Sequence, residues 1–317
     1  MHADLEQWQQ RGEYFDYLGF NVFFIREGTG PNLLLVHGYP FNSHDWSELW
    51  PELTSRFTVI APDMLGMGFS DKPVAYEYSV HDHADMHEAL LAKLGVDECH
   101  VLCHDVGDSV VQELLARHED ALGSAVPLGQ AGPMGPARAP RIDSITWLNG
   151  GMFYEAYTPR LAQKLMSKTP LGGVAARFRH TSPMRELTTR TIDEMFGPRT
   201  KPSPELMEKF HQILEYNDGK RVTHLVGRFV IDREHHRNRW VRAMRETRVP
   251  MRLIDGPCDP NSGRHMAERY LEVIPDPDVI MLDPTIGHWP QIEDPAGVLR
   301  HFLEHVERVA RSSAARA

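Results

Sequence analysis

The sequence predicts an α/β fold in which helices cover both faces of a mostly parallel sheet. Short apolar segments rich in Val, Ile and Leu alternate with helical patterns near both ends of the chain. Such segments are typical of strands buried on both faces, and parallel strands need a crossover between them, usually a helix. The 317 residues are enough for one large core with an inserted subdomain.

The first half of the chain predicts a hairpin and three buried strands. Tyr14–Tyr17 and Asn21–Arg26 flank a short turn and predict the hairpin. Helical patterns cover about Ser79–Leu94 and the stretch from the third buried strand to about His118. The three buried strands are Leu33–His37, Phe57–Ala61 and Glu98–Cys103.

The middle of the chain interrupts this alternation twice. Residues 123–143 are rich in Pro and Gly and predict a loop, after which Ile145–Leu148 resumes as a strand. The helical periodicity and Pro breaks that follow predict an inserted helical lid over residues 152–248. We therefore expect a core made of residues 1–151 and 249–317.

The C-terminal part returns to alternating strands and helices. We expect the tail Ala310–Ala317 to be frayed. The predicted elements before it are the strand Val249–Asp255, the helix Gly263–Val273, the strand Val279–Leu282 and the helix Pro295–Val309.

The composition excludes several classes of function. A formal charge of −10 disfavours nucleic acid and anionic membranes as partners. The polar N-terminus predicts no signal peptide, and no apolar stretch is long enough to predict a membrane span. The three cysteines show no metal-ligand spacing, so we expect reduced thiols in a cytoplasmic protein. A homodimer remains an open alternative to a monomer.

The segment Val101–Asp108 carries the clearest candidate for a nucleophile. Asp105 lies between a predicted strand and a helix, with the small residue Cys103 two positions before it and Gly107 two positions after it. A tight turn with small residues at those positions lifts the central side chain above the edge of the sheet, as in α/β-hydrolases. Asp is also favoured as a helix N-cap, so a structural role for Asp105 stays open here.

Two more candidates follow the ends of other predicted strands. Asp259 lies after the strand Val249–Asp255, and His288 lies after the last strand. The carboxyl ends of parallel strands meet at one edge of the sheet, so we expect both to approach Asp105. The order nucleophile, acid, histidine is that of α/β-hydrolases.

The oxyanion hole of such a site would come from two backbone N–H groups. One is that of Tyr39, in the loop His37–Pro40 after the first buried strand, and the other is that of Val106, directly after the nucleophile.

Seven segments carry a resemblance to a known family: HGYPFNSHDW (37–46), DMLGMGFSDKP (63–73), HDVGDSVVQELL (104–115), LNGGMF (148–153), FGPRTKPS (196–203), YNDGKR (216–221) and GHWPQIEDP (287–295). The chain resembles the aspartate-nucleophile branch of the α/β-hydrolases, which includes epoxide hydrolases and haloalkane dehalogenases. Within it, the chain more closely resembles the mesoderm-specific transcript family and its bacterial relatives. It runs from about Trp8 to about Val306 and breaks at residues 123–143. It implies the α/β-hydrolase fold, with an eight-stranded sheet and a helical lid.

This resemblance implies a reaction through a covalent ester. Asp105 would attack an sp³ carbon of a small apolar electrophile and form an alkyl ester. His288 would then activate a water, and Asp259 would orient the imidazole and stabilise its charge. The expected partners are that substrate and water, with no cofactor and no metal.

The identity of the leaving group is open at this point. Haloalkane dehalogenases usually have a Trp directly after the nucleophile, and its indole N–H binds the halide. Here that position is Val106, and Tyr39 stands where a second donor often lies, so we favour epoxide opening. Tryptophans elsewhere could replace the missing donor: Trp46, Trp147 and Trp289.

Epoxide opening needs an acid, which is commonly a lid tyrosine. The candidates are Tyr154, Tyr157 and Tyr216, and each could instead be a packing residue with its hydroxyl at the surface. Val106 departs from the epoxide hydrolase pattern as well, and a β-lactone is a further candidate electrophile. The alternative from another class is a non-catalytic small-molecule binding protein.

Several polar residues are expected in supporting positions. His104 precedes Asp105 and His37 precedes Gly38, and both should hydrogen-bond locally near the site. Asn149 should support the triad from the end of its strand. His83 and His87 lie four residues apart on a predicted helix, and we expect them to be solvated there and to bind no metal.

Overall fold

A computed structural model describes residues 1–123, 140–158 and 181–315 and contains an eight-stranded sheet. The strand order is β1-β2-β4-β3-β5-β6-β7-β8; β1 and β2 are antiparallel to their neighbours and all other pairs are parallel. This confirms the predicted hairpin and mostly parallel sheet. The strands are β1 (Glu13–Tyr17), β2 (Phe20–Glu27), β3 (Asn32–Val36), β4 (Thr58–Pro62), β5 (Glu98–Cys103), β6 (Arg141–Trp147), β7 (Met251–Asp255) and β8 (Val279–Met281).

Helices lie between the parallel strands and form a long run between β6 and β7. Within the described ranges, none combines the length and apolar character needed to cross a bilayer. The helices are α1 (Ala3–Arg11), α2 (Trp50–Thr54), α3 (Val80–Lys93), α4 (Val106–Gly123), α5 (Ser182–Met195), α6 (Pro204–Glu215), α7 (Thr223–Val226), α8 (Phe229–Glu246), α9 (Arg264–Val273), α10 (Pro290–Glu293) and α11 (Pro295–Ala314), with 3₁₀ turns at Ser43–Trp46 and Tyr216–Arg221. Helices α5–α8 lie inside the predicted lid, residues 152–248, whose limits remain a prediction.

The central strands are buried on both faces of the sheet. In β3, Leu33 and Leu35 belong to one apolar cluster, whereas Leu34 and Val36 belong to the cluster on the other face. Fully burying one such side chain stabilises the fold by about 1.5–3 kcal/mol, so the two layers of helices hold the sheet firmly. The loops at its carboxyl edge are thereby held on a rigid support.

Local sequence signals explain where several helices begin. Ser79 precedes α3 and accepts a hydrogen bond from the N–H of Asp82, which is the N-cap geometry. Asp294 precedes α11 and accepts from the N–H of Gly297, and Pro295 occupies the first helical position, where its missing N–H costs nothing.

The C-terminal boundary that we predicted for the loop at 123–143 was wrong. Strand β6 begins at Arg141, which pairs with Glu98 of β5, so the sheet extends into the predicted loop. Parallel pairing with an existing strand outweighs the local Pro and Gly signal here. The rest of the predicted loop, residues 124–139, lies outside the described residues.

Two helices continue beyond their predicted ends. Helix α4 runs to Gly123 rather than to about His118, and α11 runs to Ala314. Val309, directly before the predicted frayed tail, and the turn that precedes it bury apolar side chains, and the helix continues from there into the tail.

The expectation that His83 and His87 are solvated was also wrong. Both are buried, with 3% and 0% of their surface exposed, because this face of α3 also carries Met86 and Leu90 and packs on the sheet. Burial disfavours the charged imidazolium and lowers the pKa of His83 to about 3 and that of His87 to about 4.

Candidate active site

Four predicted site residues follow four parallel strands in the structure. Asp105 follows β5, Asn149 follows β6, Asp259 follows β7 and His288 follows β8. Hydrogen bonds link Asn149 to both the Asp105 backbone and the Asp259 side chain, and a further one links Asp259 to His288. The carboxyl edge of the sheet therefore gathers these side chains, as predicted from the strand order.

Asp105 lies on a tight turn between β5 and α4. Its φ is 52°, in the left-handed region, and its N–H donates to the Asn149 carbonyl oxygen at 2.9 Å. The turn closes through a 2.8 Å bond from the Gly107 N–H to the His104 carbonyl oxygen. A Cβ at Gly107 would overlap the carbonyl oxygen of Val36, which explains the small residue two positions after Asp105.

The Asp105 carboxylate meets the N–H group that the sequence predicted. Tyr39 N donates to Asp105 Oδ2 at 3.0 Å, across from the loop after β3. Val106 is the first residue of α4, so its N–H is among those that have no acceptor within the helix. Both predicted donors thus border the turn that carries Asp105.

His288 and Asp259 form a buried pair. His288 Nδ1 bonds Asp259 Oδ2 at 2.8 Å, and Asp259 also accepts from Ser262 Oγ at 2.6 Å and from Asn261 N at 2.8 Å. Burial alone would raise the pKa of Asp259, but these partners outweigh it and lower that pKa to about 2. Burial likewise opposes the charged form of His288, yet the carboxylates of Asp259 and Asp105 leave its pKa raised.

Asn149 holds the loop that carries Asp259. Its Oδ1 accepts from Gly256 N at 2.7 Å, and its Nδ2 lies 2.9 Å from Gly256 O and 3.3 Å from Asp259 Oδ2. Burial and the neighbouring Asp259 carboxylate raise the pKa of Asp255, the last residue of β7, to about 8. Asn149 thus contacts both the loop and the side chain of Asp259, and its supporting role stays a prediction.

The two flanking histidines bond locally. His37 Nε2 accepts from Met64 N at 2.9 Å, which leaves Nδ1 to donate to the Gly38 carbonyl oxygen at 2.8 Å. His104 Nε2 lies 2.7 Å from the carbonyl oxygen of His288, so it donates there and holds that loop. Burial lowers the pKa of both, to about 3 for His104, so both are neutral at neutral pH.

The three lid tyrosines lie in different surroundings. Tyr157 is 6% exposed, and its ring lies 4.7 Å from the Arg233 guanidinium carbon. Tyr154 is partly exposed and lies under Arg237. The structure does not bring Tyr216 to this group, because its hydroxyl accepts a 2.8 Å hydrogen bond from Gln9 of α1.

A buried arginine was missed in the sequence. Arg233 of α8 donates from Nη2 to the Asp105 carbonyl oxygen at 2.9 Å, and the same atom is 3.6 Å from Asp105 Oδ1. Its Nε donates to Ser109 Oγ at 2.7 Å, and its guanidinium packs against the rings of Tyr157 and Phe229. Its helical spacing from the apolar residues of α8 was the signal that could have identified it.

The three tryptophans considered as halide donors are all buried. Within the described residues, the indole N–H groups of Trp46 and Trp289 have no hydrogen-bond acceptor. Trp289 directly follows His288 and stacks on Phe196 with ring centroids 4.8 Å apart.

Comparison with known proteins agrees with this architecture. The family described as alpha/beta hydrolase fold matches residues 31–227. The chain is 34% identical to the mesoderm-specific transcript protein of Mus musculus over 307 residues, which cover 94% of this chain and 87% of the mouse protein. Solved structures similar in fold include the epoxide hydrolase CorEH (TM-score 0.66, 19% identity, 94% and 99% covered) and a loop variant of the haloalkane dehalogenase DbeA from Bradyrhizobium elkanii (TM-score 0.70, 19% identity, 96% and 99% covered). The chain therefore belongs to the α/β-hydrolase family.

Proposed function

We propose that this α/β-hydrolase opens an epoxide with Asp105 as its nucleophile. The observation that carries the proposal is the hydrogen bond from Tyr39 N to Asp105 Oδ2, on a residue raised by a left-handed turn. An N-cap aspartate accepts from the first N–H groups of its own helix, whereas this oxygen accepts from another loop. That arrangement suits a nucleophile whose second oxygen stays in an oxyanion hole.

In the first half-reaction, Asp105 Oδ1 attacks an sp³ carbon of the epoxide and the ring C–O bond breaks. Oδ2 remains at the Tyr39 N–H and becomes the carbonyl oxygen of the ester. The ring oxygen takes a proton from an acid, for which we propose Tyr157. It is the most buried of the lid candidates, whereas Tyr154 is partly exposed and Tyr216 bonds α1.

In the second half-reaction, His288 takes a proton from water and the resulting hydroxide attacks the Cγ atom of Asp105. The negative charge moves to Oδ2, where the N–H groups of Tyr39 and Val106 stabilise it. The Cγ–Oδ1 bond then breaks, and Oδ1 leaves with the product and takes the proton back from His288. The carboxylic acid left at Asp105, whose hydroxyl comes from the water, gives its remaining proton to the phenolate of Tyr157, which restores both groups. The carboxylate of Asp259 stabilises the imidazolium between these steps.

Dehalogenation is the second candidate, and one observation favours it. The indole N–H of Trp289 is buried without an acceptor within the described residues, and it belongs to the residue after His288. However, Trp289 stacks on Phe196, and Val106 stands where dehalogenases usually have their halide-binding indole. Epoxide opening is therefore the function that we propose first.

Trapping the ester in a His288→Gln variant tests the proposal. Without the base, hydrolysis should stall, so incubation with a panel of epoxides should leave a covalent adduct on Asp105. Intact-protein mass spectrometry followed by peptide mapping would detect it. An adduct equal to the whole reagent mass indicates ring opening, of an epoxide or, in a parallel panel, of a β-lactone. An adduct from a haloalkane that lacks one hydrogen halide would favour the second candidate.

Two controls separate the nucleophile from its neighbours. Adding Asp105→Asn to the His288→Gln variant should abolish the adduct, whereas adding Cys103→Ser should leave it unchanged. An adduct on another residue would contradict the assignment of Asp105. An absence of adduct with every reagent, together with an inactive wild type, would favour a non-catalytic binding protein.

A further inference from the structure

A buried cation lies directly beside the candidate nucleophile. Arg233 is 1% exposed, and among the described residues its ion-pair partner is Asp105, with 3.6 Å between Nη2 and Oδ1. A buried charge is costly unless it is paired and hydrogen-bonded, so the position of this guanidinium calls for a specific electrostatic role.

The guanidinium of Arg233 is fixed in place. Ser109 Oγ accepts from Nε at 2.7 Å, and the ring centroids of Tyr157 and Phe229 lie 4.7 and 4.6 Å from the guanidinium carbon. A Cβ at Gly151 would overlap Nη1, so the glycine leaves just enough room for the side chain. A charge held this firmly can stabilise a developing anion without first reorganising.

The two oxygens of the Asp105 carboxylate have different neighbours. Oδ2 accepts from Tyr39 N, while Oδ1 is the oxygen near Arg233. If Oδ2 stays in the oxyanion hole, Oδ1 is the atom that attacks and becomes the bridging oxygen of the ester. In the hydrolytic step this same oxygen is the leaving atom, because water attacks Cγ and the Cγ–Oδ1 bond breaks.

We propose that Arg233 stabilises the negative charge that develops on Oδ1 as the ester is hydrolysed, and that it accelerates this step rather than ester formation. The inference rests on the function proposed for Asp105. Before the reaction, Arg233 stabilises the resting carboxylate and so does not favour its attack. Once the ester forms, Asp105 is neutral and Arg233 loses the carboxylate charge with which it pairs. As the Cγ–Oδ1 bond breaks, negative charge develops on Oδ1 beside the guanidinium, and this interaction, which the ester lacks, lowers the barrier of the second step.

The step balances without any further reactant. One O–H bond of water breaks as its proton moves to His288 Nε2, and the oxygen forms a new bond to Cγ. The Cγ–Oδ1 electron pair then passes to Oδ1, which takes the proton from His288. The second proton of the water leaves the new carboxylic acid at Asp105 for the Tyr157 phenolate that ester formation produced. Arg233 keeps all its protons throughout, since its guanidinium stays protonated in proteins.

Arg233→Gln tests the inference, with Arg242→Gln as the matched control on the exposed side of the same helix. The substrate is an epoxide that labels the His288→Gln variant. Rapid quenching and mass spectrometry give the rate of ester formation and the fraction of enzyme present as ester during turnover. We expect Arg233→Gln to hydrolyse the ester roughly 10²-fold more slowly. It should form the ester no more slowly than the wild type, so the ester should accumulate.

The charge itself is tested by Arg233→Lys, which should accumulate less ester than Arg233→Gln. A merely structural role would slow both steps together and leave little ester, and that result would overturn the inference. If Arg233→Gln fails to fold, Arg233→Lys alone must show more ester than the wild type. Failure of the proposed function is a separate outcome, because His288→Gln would then carry no adduct at all.

Discussion

His288 Nδ1 and Asp259 Oδ2 lie 2.8 Å apart, which leaves Nε2 as the nitrogen of His288 that can accept a proton from water. The carboxylate of Asp259 is held as an anion by Ser262 and by a backbone N–H as well as by His288, and its pKa is about 2. The imidazole of His288 is therefore oriented by a carboxylate that stays ionised throughout the neutral pH range.

We expect Asp259→Asn to slow ester hydrolysis by roughly 10²–10⁴-fold. Burial lowers the pKa of His288, and Asp259 and Asp105 raise it above its ordinary value, so the wild type should lose its neutral base as the pH falls through that raised pKa. The substitution removes the largest raising influence, and the acidic limb of the rate profile should move to lower pH. Stopped-flow rates across acidic and neutral pH would measure it.

The exposed Asp276→Asn is the control for this experiment and should leave the profile unchanged. An acidic limb at the same pH in Asp259→Asn and the wild type would mean that His288 is not the base observed.

Tyr157→Phe should slow ester formation from an epoxide by about 10²-fold, because the ring oxygen would lose its proton donor. Tyr154→Phe should change this rate only slightly, since Tyr154 is partly exposed and lies under Arg237. Single-turnover measurements with the two variants provide the comparison. The opposite order of effects would assign the acid to Tyr154, and equal small effects would exclude both.

Asn149→Ala should destabilise the protein by about 1–3 kcal/mol, because it leaves the buried N–H of Gly256 without its acceptor. It should also lower the hydrolysis rate, since Nδ2 no longer supports the loop of Asp259. Urea unfolding would measure the change in stability. Asn32→Ala, which removes an exposed bond to Glu98 O, should have a much smaller effect.

His83→Leu should make the free energy of unfolding depend less strongly on pH in the acidic range. Burial lowers the folded-state pKa of His83 to about 3, whereas the ordinary value is 6.5, so the unfolded chain binds the proton first. The contribution of neutral His83 to the free energy of unfolding is therefore fully present above about pH 6.5. It is lost as the pH falls below that value, by up to about 1.4 kcal/mol per pH unit for each such histidine. Urea unfolding at several pH values should show that the slope of the unfolding free energy against pH is smaller by the amount that one bound proton contributes.

His235→Leu, at an exposed position of α8, is the matched control and should leave the slope unchanged. If His83→Leu also left it unchanged, His83 would titrate alike in the folded and unfolded chain.

Much of the fold and the candidate triad could be predicted from the sequence, because both depend on strand ends. A buried parallel strand is recognisable from its apolar run, and the next polar residue at the carboxyl edge is a candidate site residue, as for Asp105 and His288. The start of β6 could not be predicted in this way, because Arg141 becomes part of a strand through pairing with Glu98, which is distant in sequence.

The residues that were misjudged share one physical feature, which is burial of a polar side chain in a helix. His83 and His87 share a face of α3 with Leu90, and Arg233 shares a face of α8 with Phe229. Helical spacing could have indicated burial in each case. The contact between Arg233 and Asp105, however, joins two distant parts of the chain through tertiary packing and has no local sequence signal.

The left-handed backbone of Asp105 also restricts the evolution of this position. Glycine and asparagine accept a φ of 52° readily, whereas β-branched residues such as Val, Ile and Thr are strained there. Among variants at position 105, those that still fold should therefore mainly carry residues that tolerate the left-handed turn. An Asn or Gly descendant would lose the proposed nucleophile and keep the fold, so a single substitution would turn this chain into a protein that binds the same ligand without reacting with it.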